Sequence, residues 1–227
     1  MPLKRYIPEA VLISAKRTIS IGRYIRNYAY SDIRRYFAYS SNSPMSGQRF
    51  WLDPSVILNC NDSFDRSWSG RIVDGDWDLE LSPVGSLQKV EIAERRVLDN
   101  VSWEEAGAYA HMQQLMEDYD APDGCRTMED VQYRYAELDQ LVAELRQTRR
   151  LSTRWQLGGF REFDGIFVHI GRSGDFIFGG GGMHRFGIAR ALGLTEIPMQ
   201  LGVVHLFAVE SGKYRDLLKK HRKPAQA

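Results

Sequence analysis

Residues 178–193 read FGGGGMHRFGIARALG, and this stretch decides how the chain is interpreted. Four glycines, Gly179 to Gly182, stand between an apolar strand-like segment and residues 183–192, which predict a short helix. Gly193 follows as a helix stop. The chain is therefore expected to run from a strand, through a glycine loop, into the first turn of a helix.

The segments on both sides of this stretch predict a sheet. Residues 165–171 (GIFVHIG) and 176–178 (FIF) predict two strands that residues 172–175 (RSGD) join as a hairpin. Residues 197–205 predict a third strand after the short helix, and residues 212–221 predict a basic terminal helix. The last third of the chain thus combines strands and helices in one unit.

A strand that passes through glycines into a helix is suited to holding phosphate. Glycine lets backbone N–H groups approach an anion, and the helix N-terminus adds free donors and a partial positive charge. Here the first helical turn also carries His184 and Arg185, which suit phosphate contact and proton transfer. The stretch is neither a Walker A loop, since no Gly-Lys-Ser/Thr follows, nor a Rossmann fingerprint, since its glycines are consecutive.

The same residues resemble a known family. Gly-x-His-Arg, a small-residue helix that ends in Leu-Gly, and Ile197-Pro198 before a strand are similar to the core motif of the ParB/sulfiredoxin superfamily. The resemblance covers roughly residues 127–207, and residues 1–125 match nothing in the family core. It implies binding of nucleotide phosphates, with Gly182 as the close-approach glycine and His184 and Arg185 as phosphate contacts.

The family includes CTP-binding chromosome-partition proteins, ATP-using sulfiredoxins, free-serine kinases and phage proteins labelled nucleases. Sulfiredoxins carry a cysteine where this chain has Met183, so reduction of a sulfinic acid is not expected. The serine kinases carry an acid at the position of Gly181. Glu162, Asp164 and Asp175 lie nearby in sequence as replacements for a base or a Mg²⁺ ligand.

These considerations define the candidate site. The predicted catalytic residues are His184, Arg185 and Glu162. The predicted cofactor-binding residues are Gly179, Gly180, Gly181, Gly182, Met183 and His205. His205 is included because it ends the strand after the motif helix, and parallel-sheet geometry is expected to put it at the same edge as the glycine loop. Asp175 is the predicted metal ligand, and the expected cofactors are ATP or CTP with Mg²⁺. His169 is interpreted as a satisfied or exposed strand residue and Arg172 as a solvated turn residue.

The acidic segment that follows residue 72 leaves two interpretations open. Asp74-Gly75 predicts a hairpin turn, and the alternation after it places Asp76, Asp78 and Glu80 on one strand face. That face is either solvated or a Mg²⁺ site. The segment is not an EF-hand, because its glycine and glutamate do not fall at the required positions.

Two capping patterns predict helices in the middle of the chain. Ser102 and Glu105 have capping-box spacing, so a helix is expected after them and before the break at residues 120–124. Thr127 begins a second such pattern. Apolar residues then recur at helical spacing, which predicts a helix from about Met128 to Arg149.

Charge is unevenly distributed along the 227 residues, although the formal net charge is only +1. Residues 1–50 carry nine Lys or Arg and two acids, residues 51–150 carry ten and twenty-one, and residues 151–227 carry eleven and six. Either the basic ends pack on the acidic middle, or they hold an anionic ligand. Arginines and tyrosines interleave over residues 23–36, a pattern that fits nucleic-acid binding or helices with buried tyrosines.

The sequence predicts an α+β fold, with a ParB/sulfiredoxin-like mixed sheet and helices preceded by a helix- and hairpin-containing N-terminal region. The expected division is an N-terminal region of residues 1–125 and a nucleotide-binding domain of residues 126–227. Two distant cysteines, no membrane-length apolar run and no signal peptide predict a cytoplasmic protein without membrane contact. The expected function is a nucleotide-dependent phosphotransferase or NTPase acting on an unidentified small acceptor. The alternatives are a non-catalytic nucleic-acid or partner-binding module and a ParB-like nuclease.

Overall fold

A computed structural model describes residues 8–40 and 43–222 and shows an α+β fold, as predicted. Its seven strands form one mixed sheet in the order β1-β7-β5-β6-β2-β4, and β3 pairs with β7 outside this path. The strands are β1 (Arg49–Leu52), β2 (Asn59–Cys60), β3 (Ile72–Val73), β4 (Ser82–Pro83), β5 (Ile166–Ile170), β6 (Phe176–Phe178) and β7 (Ile197–His205).

Eight α-helices occur in the described ranges. They are α1 (Glu9–Tyr24), α2 (Tyr30–Tyr39), α3 (Gln88–Leu98), α4 (Ala108–Asp118), α5 (Met128–Thr148), α6 (Met183–Ala191), α7 (Leu206–Glu210) and α8 (Lys213–His221). One π-helical turn, Ile25–Ala29, joins α1 to α2. Within residues 8–40 and 43–222, no helix combines the length and apolarity that crossing a membrane requires.

The sheet draws strands from both halves of the chain. In the second half β5 and β6 form the predicted antiparallel hairpin, and β7 runs parallel to β5 with Val168 beside Leu201. From the first half β1 pairs antiparallel with β7, and β2 pairs parallel with β6. The predicted division after residue 125 therefore does not separate two sheets.

The core lies between one face of the sheet and the helices α3 and α6. Ile166, Val168 and Ile170 of β5 point into it, and the rings of Phe178 and Phe186 stack with centroids 4.3 Å apart. Gly187 is the point where α6 meets α3, because a Cβ on it would lie 2.8 Å from the carbonyl oxygen of Val90. Helix α3, which the sequence analysis did not predict, thus fixes the position of α6.

The long helix α5 begins as predicted. The Thr127 side chain accepts a hydrogen bond from the Asp130 N–H, and the Asp130 carboxylate accepts one from the Thr127 N–H. After its last turn, the Arg149 guanidinium donates to the carbonyl oxygens of Leu192 and Gly193 at 2.6 and 2.9 Å. Helix α5 is therefore tied to the C-terminal end of α6.

A buried carboxylate attaches α2 to the rest of the protein. Asp32 is fully buried and accepts hydrogen bonds from Tyr24, Ser46 and two arginines, Arg35 and Arg161. Arg161 comes from the loop before β5, so this cluster joins the N-terminal helices to the sheet. In contrast, α1 has no buried residue.

One local prediction was wrong, and the helix predicted after Ser102 is confirmed but begins later than its capping box. Residues 74–81 form bends and turns instead of the second strand of a hairpin, because Arg172 binds the carboxylates of Asp76 and Asp78 and draws the segment across the sheet edge. The capping box of Ser102 and Glu105 forms, yet α4 begins only at Ala108. Gly107, with a φ of 94°, lies between the capping box and α4 and separates the two.

The contact at Gly187 gives a stability prediction. Gly187→Ala should lower the free energy of unfolding by about 1–3 kcal/mol, since its methyl group would press on the Val90 backbone and α6 would have to shift. Gly85→Ala is the matched control, because a Cβ there has no atom within 4 Å. Urea titration of both variants measures the difference, and equal stabilities would contradict the proposed contact.

Candidate anion site at the start of helix α6

The glycine loop lies flat against β5. The Gly179 N–H donates to the Phe167 carbonyl at 2.8 Å, and the Phe167 N–H donates to the Gly181 carbonyl at 2.9 Å. A Cβ added to Gly179 would lie 2.6 Å from the Phe167 ring, and one added to Gly181 would lie 2.8 Å from the Phe167 Cβ. Gly182 adopts a φ of 80° immediately before α6. No larger residue fits this path, so the loop sets where α6 begins.

The first turn of α6 opens into a cavity of about 600 Å³, called the α6 cavity below. In the part of the chain that the structure describes, the N–H groups of Met183, His184 and Arg185 have no hydrogen-bond partner. The positive end of the helix adds to these free donors. The lining residues are Arg66, Lys89, Asp123, Arg134, Glu137, Leu138, Leu141, Arg154, Asp164, Gly180, Gly182, Met183, His184 and Arg185.

Three arginines gather at one end of the α6 cavity. Arg154 and Arg185 both donate to the backbone carbonyl of Asp164, the latter at 2.6 Å, and Arg66 lies 3.8 Å from the Asp164 carboxylate. Burial, with the neighbouring charges of Arg154 and Arg66, lowers the pKa of Arg185 to about 9. Arg185 still carries its charge at neutral pH, so three cations gather here beside Asp164, and the buried Glu162 carboxylate also acts on Arg154 and Arg185.

A second group of charged residues in the α6 cavity combines two cations, Lys89 and Arg134, with the carboxylate of Asp123. Asp123 accepts a hydrogen bond from Lys89 at 2.8 Å and lies 3.8 Å from Arg134. Leu138 and Leu141 of α5 also line the cavity. Its lining residues include five cations and three carboxylates, so the cavity as a whole has excess positive charge.

His184 lines the cavity but has a buried hydrogen-bond partner. Its Nε2 lies 3.0 Å from the hydroxyl oxygen of Tyr135, and the two rings meet edge to face. Burial lowers the pKa of His184 to about 4, so the ring is neutral at pH 7. His184 thus fixes the first turn of α6 against α5 and adds no positive charge for a phosphate.

The other predicted site residues have different positions. Gly180, Gly182 and Met183 line the cavity, whereas Gly179 and Gly181 hold the loop to β5. Glu162 does not line it. Its carboxylate is buried, accepts a hydrogen bond from the Arg154 N–H at 3.1 Å and lies 3.5 Å from Arg49. Burial raises the pKa of Glu162.

His205 and Asp175 lie at the opposite edge of the sheet. Strand β6 is antiparallel to β5, and β7 is parallel to it, so β6 ends at the sheet edge where β7 begins. The glycine loop follows β6 at that edge, whereas His205 lies at the other end of β7. The His205 Nε2 lies 2.9 Å from the Gly75 carbonyl oxygen. Asp175 binds the Ser173 hydroxyl in the β5–β6 turn. Neither side chain reaches the α6 cavity.

His169 and Arg172 are both held by protein groups. His169 is buried, accepts a hydrogen bond from the Val203 N–H and lies 3.1 Å from the Asn61 carbonyl oxygen, as a satisfied strand residue should. Arg172 was predicted to be solvated, which was wrong, because it pairs with Asp76 and Asp78.

Four cations of the site were missed in the sequence. Arg66 follows β2, Lys89 lies on α3, Arg134 on α5 and Arg154 in the loop after α5. They come from four separate segments, and no spacing or motif marks them. Only the fold brings these side chains to the α6 cavity.

The residues that the structure describes contain no group of three or more His, Cys, Asp or Glu side chains placed to hold a metal ion. Comparison with protein-family models, curated proteins and solved structures found no match for this chain. The site therefore has to be interpreted from its own geometry.

Two buried histidines predict how stability depends on pH. Burial lowers the pKa of both His184 and His169 to about 4, against about 6.5 unfolded. The unfolded chain therefore takes up protons first on acidification, and stability is lost as the pH falls from about 6.5 towards 4. Each histidine should cost about 2 kcal/mol between pH 7 and pH 5.

Urea unfolding of the wild type and of His184→Gln at both pH values tests this expectation. The loss of stability should be about 2 kcal/mol smaller in the variant. An identical loss in the two proteins would contradict a neutral, buried His184.

Proposed function

We propose that this protein binds a nucleoside triphosphate, ATP or CTP, in the α6 cavity. The observation that carries the proposal is the convergence of three free backbone N–H groups with Arg66, Arg154 and Arg185 at the glycine-loop end of one cavity. Guanidinium groups and a helix N-terminus are the groups that proteins use to hold phosphate oxygens. A cavity of about 600 Å³ is of the size that small-ligand sites have.

The distribution of charge orients the nucleotide. Its phosphates fit beside the glycine loop, where the cations exceed the carboxylates. Its sugar and base fit towards Leu138, Leu141 and Met183, where the wall is apolar. The resemblance to the ParB/sulfiredoxin superfamily supports the same placement, since the matching residues Gly182, His184 and Arg185 all line the cavity.

Mg²⁺ fits this site as an ion carried by the phosphates. Mg²⁺ is commonly held by substrate phosphates, waters and one or two carboxylates. Asp123, Glu137 and Asp164 line the cavity and offer such oxygens, although the described residues form no three-ligand cluster. When bound there, Mg²⁺ would offset phosphate charge.

A phosphotransferase or NTPase is the reaction class that these groups support. Arg66, Arg154 and Arg185 can stabilise charge that develops on a transferring phosphoryl group. His184 is held by Tyr135, so the cavity carboxylates of Asp123, Glu137 and Asp164 are the proposed bases for an acceptor. Glu162 is a positioning residue that acts through Arg154.

The residues that carry the proposal give a direct test. Arg185→Ala should remove the thermal shift that ATP or CTP with Mg²⁺ causes in the wild type, because a cation beside the free N–H groups is lost. Arg215→Ala, on the exposed surface of α8, is the control and should keep the full shift. If no nucleotide raises the melting temperature of the wild type, with or without Mg²⁺, the proposed function is wrong.

The N-terminal helices favour a second candidate, a nucleic-acid or partner-binding module. Tyr30 and Phe37 on α2 are 72% and 81% exposed, and the Arg34 guanidinium lies 5.9 Å from the Tyr30 ring. Exposed rings with arginines can stack on bases. Binding of a single-stranded oligonucleotide that weakens with salt and with Phe37→Ala would support it, and no binding at low salt would exclude it.

The nuclease alternative has less support. It needs clustered carboxylates beside the glycine loop, whereas Asp76 and Asp78 are paired with Arg172 at the other sheet edge. We also propose a cytoplasmic location. Cys60 and Cys125 are both unpaired and buried, which fits a reducing compartment.

A further inference from the structure

The mouth of the α6 cavity contains one carboxylate between two arginines. Asp164 has one carboxylate oxygen 3.8 Å from Arg23 of α1 and the other 3.8 Å from Arg66. Both distances exceed that of a hydrogen bond. Nη1 of Arg66 is buried and has no hydrogen-bond partner among the described residues. This arginine pair, Arg23 and Arg66, therefore has unused donors.

Asp164 is held in place by its backbone. Its carbonyl oxygen accepts hydrogen bonds from Arg154 and Arg185, and its φ of 61° lies in the left-handed region that non-glycine residues rarely adopt. Its side chain is 64% exposed and that of Arg23 is 63% exposed. Ion pairs this exposed contribute little to stability, so the carboxylate can give way to a stronger anion.

A smaller groove of about 260 Å³ continues from the α6 cavity along α1, and we call it the α1 groove. Arg154 and Asp164 line both the α6 cavity and the α1 groove. Lys16 and Arg23 of α1 line the α1 groove but not the α6 cavity. Asp164 is the one carboxylate among the described residues that line the groove. Positive charge thus extends from the glycine loop to α1.

Helix α1 is anchored at its last residue, where Tyr24 donates to the buried Asp32, and its earlier turns are attached by contacts at the surface. It has no buried residue. The Arg17 guanidinium donates to the Trp155 carbonyl at 2.9 Å, and the Ser20 hydroxyl accepts from the Phe160 N–H at 3.0 Å. The turns before Tyr24 therefore open at low cost in free energy, and one further strong contact would slow the exchange of their amides with solvent.

We propose that Arg23 and Arg66 form an anion clamp that grips a phosphate group at the mouth of the α6 cavity and thereby docks α1 onto the core. The clamp rests on the proposed function, since its phosphate belongs to the nucleotide in that cavity. A phosphate carries more charge and more acceptor oxygens than the Asp164 carboxylate, and guanidinium groups match its geometry. The N-terminal helix is thus part of the ligand site.

Hydrogen exchange of the full-length protein, with saturating ATP or inorganic tripolyphosphate, tests the clamp. Either ligand should slow exchange of the α1 amides in the wild type. Arg23→Ala should abolish that protection and weaken binding about tenfold. Arg26→Ala is the matched control, because this exposed arginine removes the same charge and makes no ion pair with any described residue.

The outcomes separate the clamp from the proposed function. If ATP binds but α1 is not protected, or if Arg23→Ala behaves like Arg26→Ala, the clamp is wrong and nucleotide binding stands. If only tripolyphosphate binds and protects α1 through Arg23, the clamp stands and nucleotide binding is wrong. If neither ligand binds the wild type, both are wrong.

Discussion

The close approach of the glycine loop to β5 is the constraint on which the site depends. Gly179 and Gly181 lie where any side chain would overlap Phe167. A Cβ added to Gly182 would lie only 3.1 Å from the Ile166 Cα. Because the loop is so flat, α6 begins at the sheet edge, where its first three N–H groups have no partner among the described residues. Gly187 against α3 and Arg149 at the C-terminal end of α6 then hold that helix in place.

The positive charge of the site is assembled by the fold and not by the local sequence. Arg23 comes from the basic first segment, Arg66, Lys89 and Arg134 from the acidic middle, and Arg154 and Arg185 from the last segment. The net charges of these segments therefore say little about the site. Asp123 pairs with Lys89 and lies near Arg134, whereas Asp164 and the buried Glu162 face the remaining arginines. An anionic ligand would relieve the repulsion among these arginines, which burial strengthens.

Local signals predicted the elements that local interactions determine. The capping box and apolar spacing gave α5 almost to the residue, and the glycines and apolar runs gave β5, β6, α6 and β7. The two-residue strands β2 and β4 were beyond prediction, since pairing with distant residues decides them, and β3 pairs with β7 instead of with the predicted second strand of a hairpin. The sequence also did not predict that Arg66, Lys89, Arg134 and Arg154 meet at the α6 cavity, since contacts between distant segments bring them there. The direction of each strand explains why His205 lies away from the site. Since β7 runs parallel to β5 and β6 runs antiparallel to it, the end of β7 lies at the sheet edge opposite the glycine loop.

Backbone amide resonances of α6 test the central claim most directly. In ¹H–¹⁵N NMR spectra of the full-length protein, addition of ATP should shift the amides of Met183, His184 and Arg185 more than those elsewhere, since their N–H groups would bind phosphate oxygens. Saturable shifts confined to other residues, with these three amides unchanged, would contradict an anion site at the start of α6.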